Sequence, residues 1–104
     1  MDLSNFTITK QSDAPDIKFE VAGYIVYDTA GLFEQELGNS FKDGPKSITI
    51  DMENVVVFTS IGIRVILKTY KTAMEKKVEF HIENPSDIVR SVLKLSKLEE
   101  MLVK

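Results

Sequence analysis

The chain has 104 residues, 43% of them apolar and 28% charged, which is the size and balance of one soluble domain with a single modest core. It contains no cysteine, which excludes a thiol nucleophile, a cysteine-based zinc site and a disulfide framework. With 16 acidic against 13 basic residues it lacks a strongly basic surface, so we expect no nucleic acid partner.

No stretch of the sequence approaches the roughly 20 apolar residues of a membrane span. Residues 1–6 also lack the basic and apolar segments of a signal peptide. We therefore expect a cytoplasmic protein with no direct insertion into a membrane, folded as a single domain over residues 1–104. The oligomeric state is left open.

The first elements are a hairpin and a weak helix. Residues 6–10 and 17–22 alternate apolar and polar side chains with turn formers between them, which predicts a hairpin ended by Gly23. Residues 24–27 continue as a short extended piece, and Asp28 is the expected cap of a helix. The apolar positions of that helix are Ala30, Phe33, Leu37 and Phe41.

The centre of the chain carries most of the information. Residues 48–50 alternate as a strand, and the β-branched run at 55–58 ends in two hydroxyl residues, Thr59 and Ser60, that open an amphipathic helix. The predicted buried stripe, with Ile61 and Val65 lying off it, is Ile63, Ile66, Leu67, Tyr70, Ala73 and Met74.

The last third adds a strand and a helix. Residues 78–83 alternate again, and Asn84 followed by Pro85 is typical of a helix cap with proline at the first helical position. The tail from Leu98 to Val103 either forms a last short strand or stops as an apolar plug. The helix stripe between them is Ile88, Val89, Val92, Leu93 and Leu95.

This order of elements predicts an α/β sandwich: a mixed β-sheet of about four to five strands, with an N-terminal hairpin and helices packed on it. Strands joined by crossover helices should run parallel. Functional loops in such sheets lie beyond the carboxyl ends of the strands, where Thr59 and Ser60 fall.

The sequence shows no catalytic constellation, so we expect no enzyme, no cofactor and no metal. His81 is the sole histidine and lies mid-strand, where a partly covered surface position is expected. The five glycines are scattered and form no phosphate-binding loop.

Two interpretations of Ser60 remain open. A helix N-terminus carries roughly +0.5 of an elementary charge and unpaired N–H groups, so a phosphate added to a hydroxyl there is favoured. Alternatively the hydroxyl caps the helix by accepting a hydrogen bond from the second or third helical N–H.

The segment 48–63 resembles the signature of STAS domains, above all the bacterial anti-sigma factor antagonists: a strand, an acidic turn, an apolar strand, then Asp-Ser-x-Gly-Leu opening a helix. Gly23 with residues 28–30 is similar to the loop into that family's first helix, and residues 89–98 are similar to its C-terminal helix and turn. Thr59 stands where the family carries Asp, and Ser60 occupies the family's phosphoacceptor position.

The resemblance implies an anti-sigma factor antagonist in a partner-switching pathway. Its partners would be an anti-sigma factor that is also a serine kinase and, if Ser60 is phosphorylated, a PP2C-like phosphatase. The phosphoacceptor would be Ser60, with Thr59 as a lesser candidate. The expected partner-binding residues are Asp28, Thr59, Ser60, Ile61, Gly62, Arg64 and Val65.

Two other functions remain open beside this one. STAS modules also accompany transporters, so the chain is alternatively an accessory subunit of a transport or lipid-trafficking complex, acting as a non-phosphorylated scaffold. Nucleotide binding by the domain itself is a weaker third hypothesis, since the sequence contains no phosphate loop.

Overall fold

Residues 5–103 are described by a computed structural model; residues 1–4, where the sequence predicts no signal peptide, and residue 104 lie outside this description. The strands are β1 (Phe6–Ser12), β2 (Asp16–Ile25), β3 (Ser47–Phe58) and β4 (Glu79–Glu83). The helices are α1 (Tyr27–Ser40), α2 (Ser60–Lys76), α3 (Asp87–Leu95) and the short α4 (Glu99–Leu102), with a 3₁₀ turn at Phe41–Asp43.

The sheet within residues 5–103 has the strand order β1-β2-β3-β4. β1 and β2 form an antiparallel hairpin, whereas β2 with β3 and β3 with β4 run parallel across helical crossovers. The predicted mixed sheet, hairpin and packed helices are therefore confirmed.

One face of the sheet is apolar and lies under the helices. The register places Ile17, Ile48 and Phe80 side by side, and all three are buried. The next row on this face, Phe19, Ile50 and Ile82, is also buried. These rows form the centre of the core.

The opposite face is polar and open. Lys18 on β2 reaches across β3 to Glu83 on β4, with Nζ 2.9 Å from Oε2. The hydrogen bond from Lys18 to Glu83 raises the pKa of Lys18, so this stabilisation is present at neutral pH and disappears only as pH rises through the raised value. His81 is half-buried on the same face.

The start of α1 corrects one prediction. The helix cap is Val26, not Asp28, because β2 continues through Gly23 and pairs with β3 as far as Ile25. Gly23 has φ +94° and pairs with Phe6, and a Cβ there would overlap the Asn5 carbonyl oxygen. Only glycine fits this close approach. The pairing of β2 with β1 ends at Gly23 as predicted, and the extended piece after it continues to Ile25 against β3.

The turn into α1 is fixed by Thr29. Its buried hydroxyl accepts a hydrogen bond from the Val26 N–H at 2.9 Å and donates one to the Tyr24 carbonyl at 2.7 Å. A side chain three residues into the helix thus holds the end of β2 against the first turn.

The buried stripe of α2 is rotated from the predicted one. Its buried residues are Gly62, Val65, Ile66, Thr69 and Ala73. Thr69 is tolerated inside because its hydroxyl donates to the Val65 carbonyl at 2.8 Å within the helix. Leu67 and Met74, predicted to be buried, are 37% and 61% exposed.

The beginning of α3 differs from the prediction as well. Its cap is Ser86, two residues after the predicted Asn84. Asn84 takes a left-handed backbone, φ 48°, and donates from Nδ2 to Asp51 Oδ2 at 3.1 Å. The Ser86 N–H meanwhile bonds the Met52 carbonyl at 3.2 Å, which ties the loop to β3 and delays the helix.

The end of the chain combines the two alternatives for the tail. Leu98 caps α4 and Leu102 is its last residue; both are buried, and Val103 then pairs with Ile82 in a single parallel bridge. On α3, Val89 and Leu93 are buried as predicted, whereas Ile88 (41%) and Leu95 (86%) are exposed.

Two glycines give a first prediction. A Cβ at Gly38 on α1 meets nothing within 4 Å, so Gly38→Ala should raise the free energy of unfolding by about 0.5–1 kcal/mol through helix propensity. A Cβ at Gly62 would lie 2.5 Å from the Phe58 ring, so Gly62→Ala should lower it by about 1–3 kcal/mol. Urea denaturation measures both, and equal effects of the same sign would contradict this packing.

Thr29 gives a second prediction. Thr29→Val keeps the shape of the side chain but removes both hydrogen bonds, so we expect a loss of about 1–3 kcal/mol in the free energy of unfolding. Thr29→Ser retains the hydroxyl and serves as the matched control. If thermal and urea denaturation give the same stability for the Val and Ser variants, the hydroxyl does not hold this turn.

Candidate functional site

Both long helices begin at the same edge of the sheet. Because β2 and β3 are parallel and pair up to Ile25 and Phe58, the chain leaves both strands at one end. The Thr59 N–H and the Thr59 hydroxyl both donate to the Ile25 carbonyl, at 3.3 and 3.2 Å. We call residues 26–28 and 59–61 the helix-start edge.

Ser60 is exposed and is the first residue of α2. The helix cap is Thr59, whose carbonyl accepts hydrogen bonds from the Gly62 and Ile63 N–H groups at 2.9 and 3.3 Å. No side-chain hydrogen bond caps this helix, so the capping interpretation of Ser60 is wrong. The serine hydroxyl faces solvent at the positive end of the helix.

The charges around Ser60 favour an anion. The first turn of α2 contains no acidic residue, and Arg64 lies exposed one turn further along. The whole helix carries four basic residues and one acidic residue, although the chain as a whole has a net charge of −3. The helix macrodipole adds a positive potential at its first turn.

A groove of about 760 Å³ separates the first turns of α1 and α2. Glu34 on α1 and Lys68 on α2 bridge the two helices with an ion pair of 3.2 Å, and their side chains are 45% and 66% exposed. The groove is lined by Tyr27, Asp28, Ala30, Gly31, Glu34, Ile61, Arg64 and Val65. Its two walls therefore come from different helices.

The predicted partner-binding residues fall into two groups. Thr59 and Ser60 are exposed at the edge, and Asp28, Ile61 and Arg64 line the groove. Gly62 and Val65 are buried instead. Val65, 3% exposed, forms the groove floor, and Gly62 packs on Phe58, so both shape the surface from beneath.

Tyr27 also lines the groove, although the sequence pattern did not predict it as a binding residue. This tyrosine is the first residue of α1 and is 82% exposed at the mouth of the groove. The available signal was that the residues one helical turn later, Ala30 and Gly31, are too small to cover an aromatic ring. Exposed tyrosines in such positions are typical of binding surfaces.

Within residues 5–103, no group of three His, Asp or Glu residues is placed to hold a metal ion. The helices of the same part of the chain are too short or too polar to cross a bilayer.

The fold is shared with several solved structures. An anti-sigma factor antagonist from Mycobacterium paratuberculosis gives a TM-score of 0.84 at 23% identity, over 94% of this chain and 84% of that chain. Unphosphorylated SpoIIAA, an anti-sigma factor antagonist, gives 0.80 at 16% identity, over 95% and 85%. The phosphorylated Bacillus cell fate determinant SpoIIAA gives 0.74 at 15% identity, over 95% and 88%.

No curated protein matches the sequence significantly. The sequence does match the family described as STAS domain, and the match extends over residues 5–104. Because it covers nearly the whole sequence, the chain belongs to the STAS domain family.

Proposed function

We propose that this protein is an anti-sigma factor antagonist that binds a partner anti-sigma factor with serine kinase activity, under the control of reversible phosphorylation of Ser60. The observation that carries the proposal is Ser60 at the first position of α2, beside a groove between two helices. Its side chain is exposed and makes no capping hydrogen bond. The solved structures of similar fold include an antagonist in both unphosphorylated and phosphorylated forms.

The physical basis of the switch is a change of charge at a contact surface. A phosphoserine brings about −1.5 to −2 charges, which the N-terminus of α2 and Arg64 stabilise while the protein is free. A partner seated on the groove and on Ile61 would have to desolvate that charge, which costs binding free energy. Phosphorylation is therefore expected to release the partner.

Ser60 is a better acceptor than Thr59. The Thr59 hydroxyl already donates to the Ile25 carbonyl at 3.2 Å, and phosphorylating it would remove this bond between the two helix starts. The Ser60 hydroxyl makes no capping hydrogen bond in α2, so phosphorylating it would break no such contact. The threonine stands where the family's motif carries Asp, so the carboxylate that precedes the family's phosphoacceptor is missing here.

The remaining parts of the proposal follow from the same scheme. A PP2C-like phosphatase would restore the unmodified serine, and the exchange would take place in the cytoplasm. The protein itself would act by binding and would catalyse no reaction. A domain that binds its partner without being modified would instead be a scaffold of the kind found beside transporters.

The proposal predicts phosphorylation of a single residue. After incubation with the cognate kinase and ATP, peptide mass spectrometry should place phosphate on Ser60 in the wild type and in Thr59→Val, but not in Ser60→Ala. Ser60→Asp should weaken kinase binding about tenfold or more in calorimetry, about 1.4 kcal/mol, while Ser60→Ala binds like the wild type.

Two outcomes together would refute this function. They are an unmodified Ser60 after complete reaction, and a Ser60→Asp variant that binds the kinase as tightly as the wild type. Ser91→Asp on α3, which adds the same negative charge at another exposed serine, is the control for a general effect of charge.

A further inference from the structure

The exposed side of α2 carries a heptad seam. Ile63, Leu67, Tyr70 and Met74 are spaced by four, three and four residues, the alternation of d and a positions in a coiled coil. Leu67 and Met74 are 37% and 61% exposed, and Ile63 and Tyr70 are only partly buried. We call these four residues the α2 seam.

The α2 seam lies along the edge of the core stripe: Leu67 and Met74 are exposed, whereas Ile63 and Tyr70 are partly buried against the core. The residues that bury α2 against the sheet are Val65, Ile66, Thr69 and Ala73 together with Gly62, and they occupy a different side of the helix. A shallow depression of about 380 Å³ runs past Ile63 and Leu67. The seam thus offers apolar knobs and a concave surface to a further helix.

The charged residues beside the seam indicate which kind of helix would bind there. In the same heptad frame, Arg64 and Lys71 both fall at e positions, and both are exposed. Within residues 5–103 neither side chain forms an ion pair; Lys68, further from the seam, pairs with Glu34. Residues at e and g positions set partner choice in coiled coils, so the flank of this seam fits an acidic helix.

A second copy of the chain is a poor occupant. A symmetric antiparallel pair of α2 helices would bring the basic e positions of the two copies together, and like charges at close range are repelled. The complementary chemistry is a helix with apolar a and d residues and acidic flanks.

We propose that the α2 seam docks one acidic amphipathic helix of the partner protein, about four turns long, with its acidic residues against Arg64 and Lys71. The seam spans residues 63–74, and the next a position toward the N-terminus is Ser60. This inference rests on the proposed function, because it names the chemistry of the same partner. A phosphate on Ser60 would stand at the head of the seam and repel that acidic helix.

The test uses two synthetic helical peptides, three heptads long, with leucine at a and d and alanine at b, c and f. One carries glutamate at e and g, and the other carries lysine there. Titration into the ¹⁵N-labelled, unphosphorylated chain should shift the amide signals of residues 60–74 with the glutamate peptide and leave them unchanged with the lysine peptide.

Three variants sharpen the test. Leu67→Asp should weaken binding of the glutamate peptide about tenfold or more, whereas Leu95→Asp, the same change at an 86% exposed residue of α3, should leave it unchanged. The double variant Arg64→Glu with Lys71→Glu should reverse the preference and bind the lysine peptide.

Three results would overturn the proposal: equal binding of both peptides, signal shifts confined to residues outside α2, or a charge-swapped variant with an unchanged preference for the glutamate peptide. Sedimentation of the chain with phosphatidylserine vesicles, without any peptide contact, would assign the seam to a membrane and also overturn it. No kinase or phosphate enters these measurements, so their failure is distinguishable from failure of the Ser60 switch.

Discussion

The site depends on the parallel pairing of β2 with β3 up to Ile25 and Phe58. Since both strands end together, the Ile25 carbonyl can accept hydrogen bonds from both the N–H and the hydroxyl of Thr59. That contact ties the start of α2 to the end of β2, two residues before α1 begins. The two positive helix ends, the groove between them and the exposure of Ser60 all follow from it.

The two sides of α2 then have separate tasks. One side packs on the sheet through Val65, Ile66 and Ala73 and holds the helix in place. The neighbouring side begins with Ser60 and continues along the α2 seam with its basic flank. Because α2 is basic in an otherwise acidic chain, an anion on its first residue changes the charge of the surface that the proposed partner would meet.

The sequence predicted those features that depend on local pattern. Alternation located the strands, the crossover argument gave their direction, and the segment 48–63 pointed to the family that the match over residues 5–104 shows. Contacts distant in sequence decided the rest. β2 continues past Gly23 because its last residues pair with the end of β3. Thr69, by contrast, is tolerated in the core through a local bond from its hydroxyl to the Val65 carbonyl within the helix. The pattern of apolar residues alone placed Leu67 and Met74 in the core. It did not count Thr69 as a core residue, because it takes no account of a hydroxyl that is satisfied within the helix.

The most direct measurement of the central contact is amide hydrogen exchange at Thr59, followed by NMR in the unmodified protein. If the Thr59 N–H bonds the Ile25 carbonyl, its exchange should be slowed about hundredfold or more, as for amides in the adjoining strand. Exchange at the rate of an unstructured peptide would show that the two helix starts are not joined, and would contradict the arrangement on which the site is built.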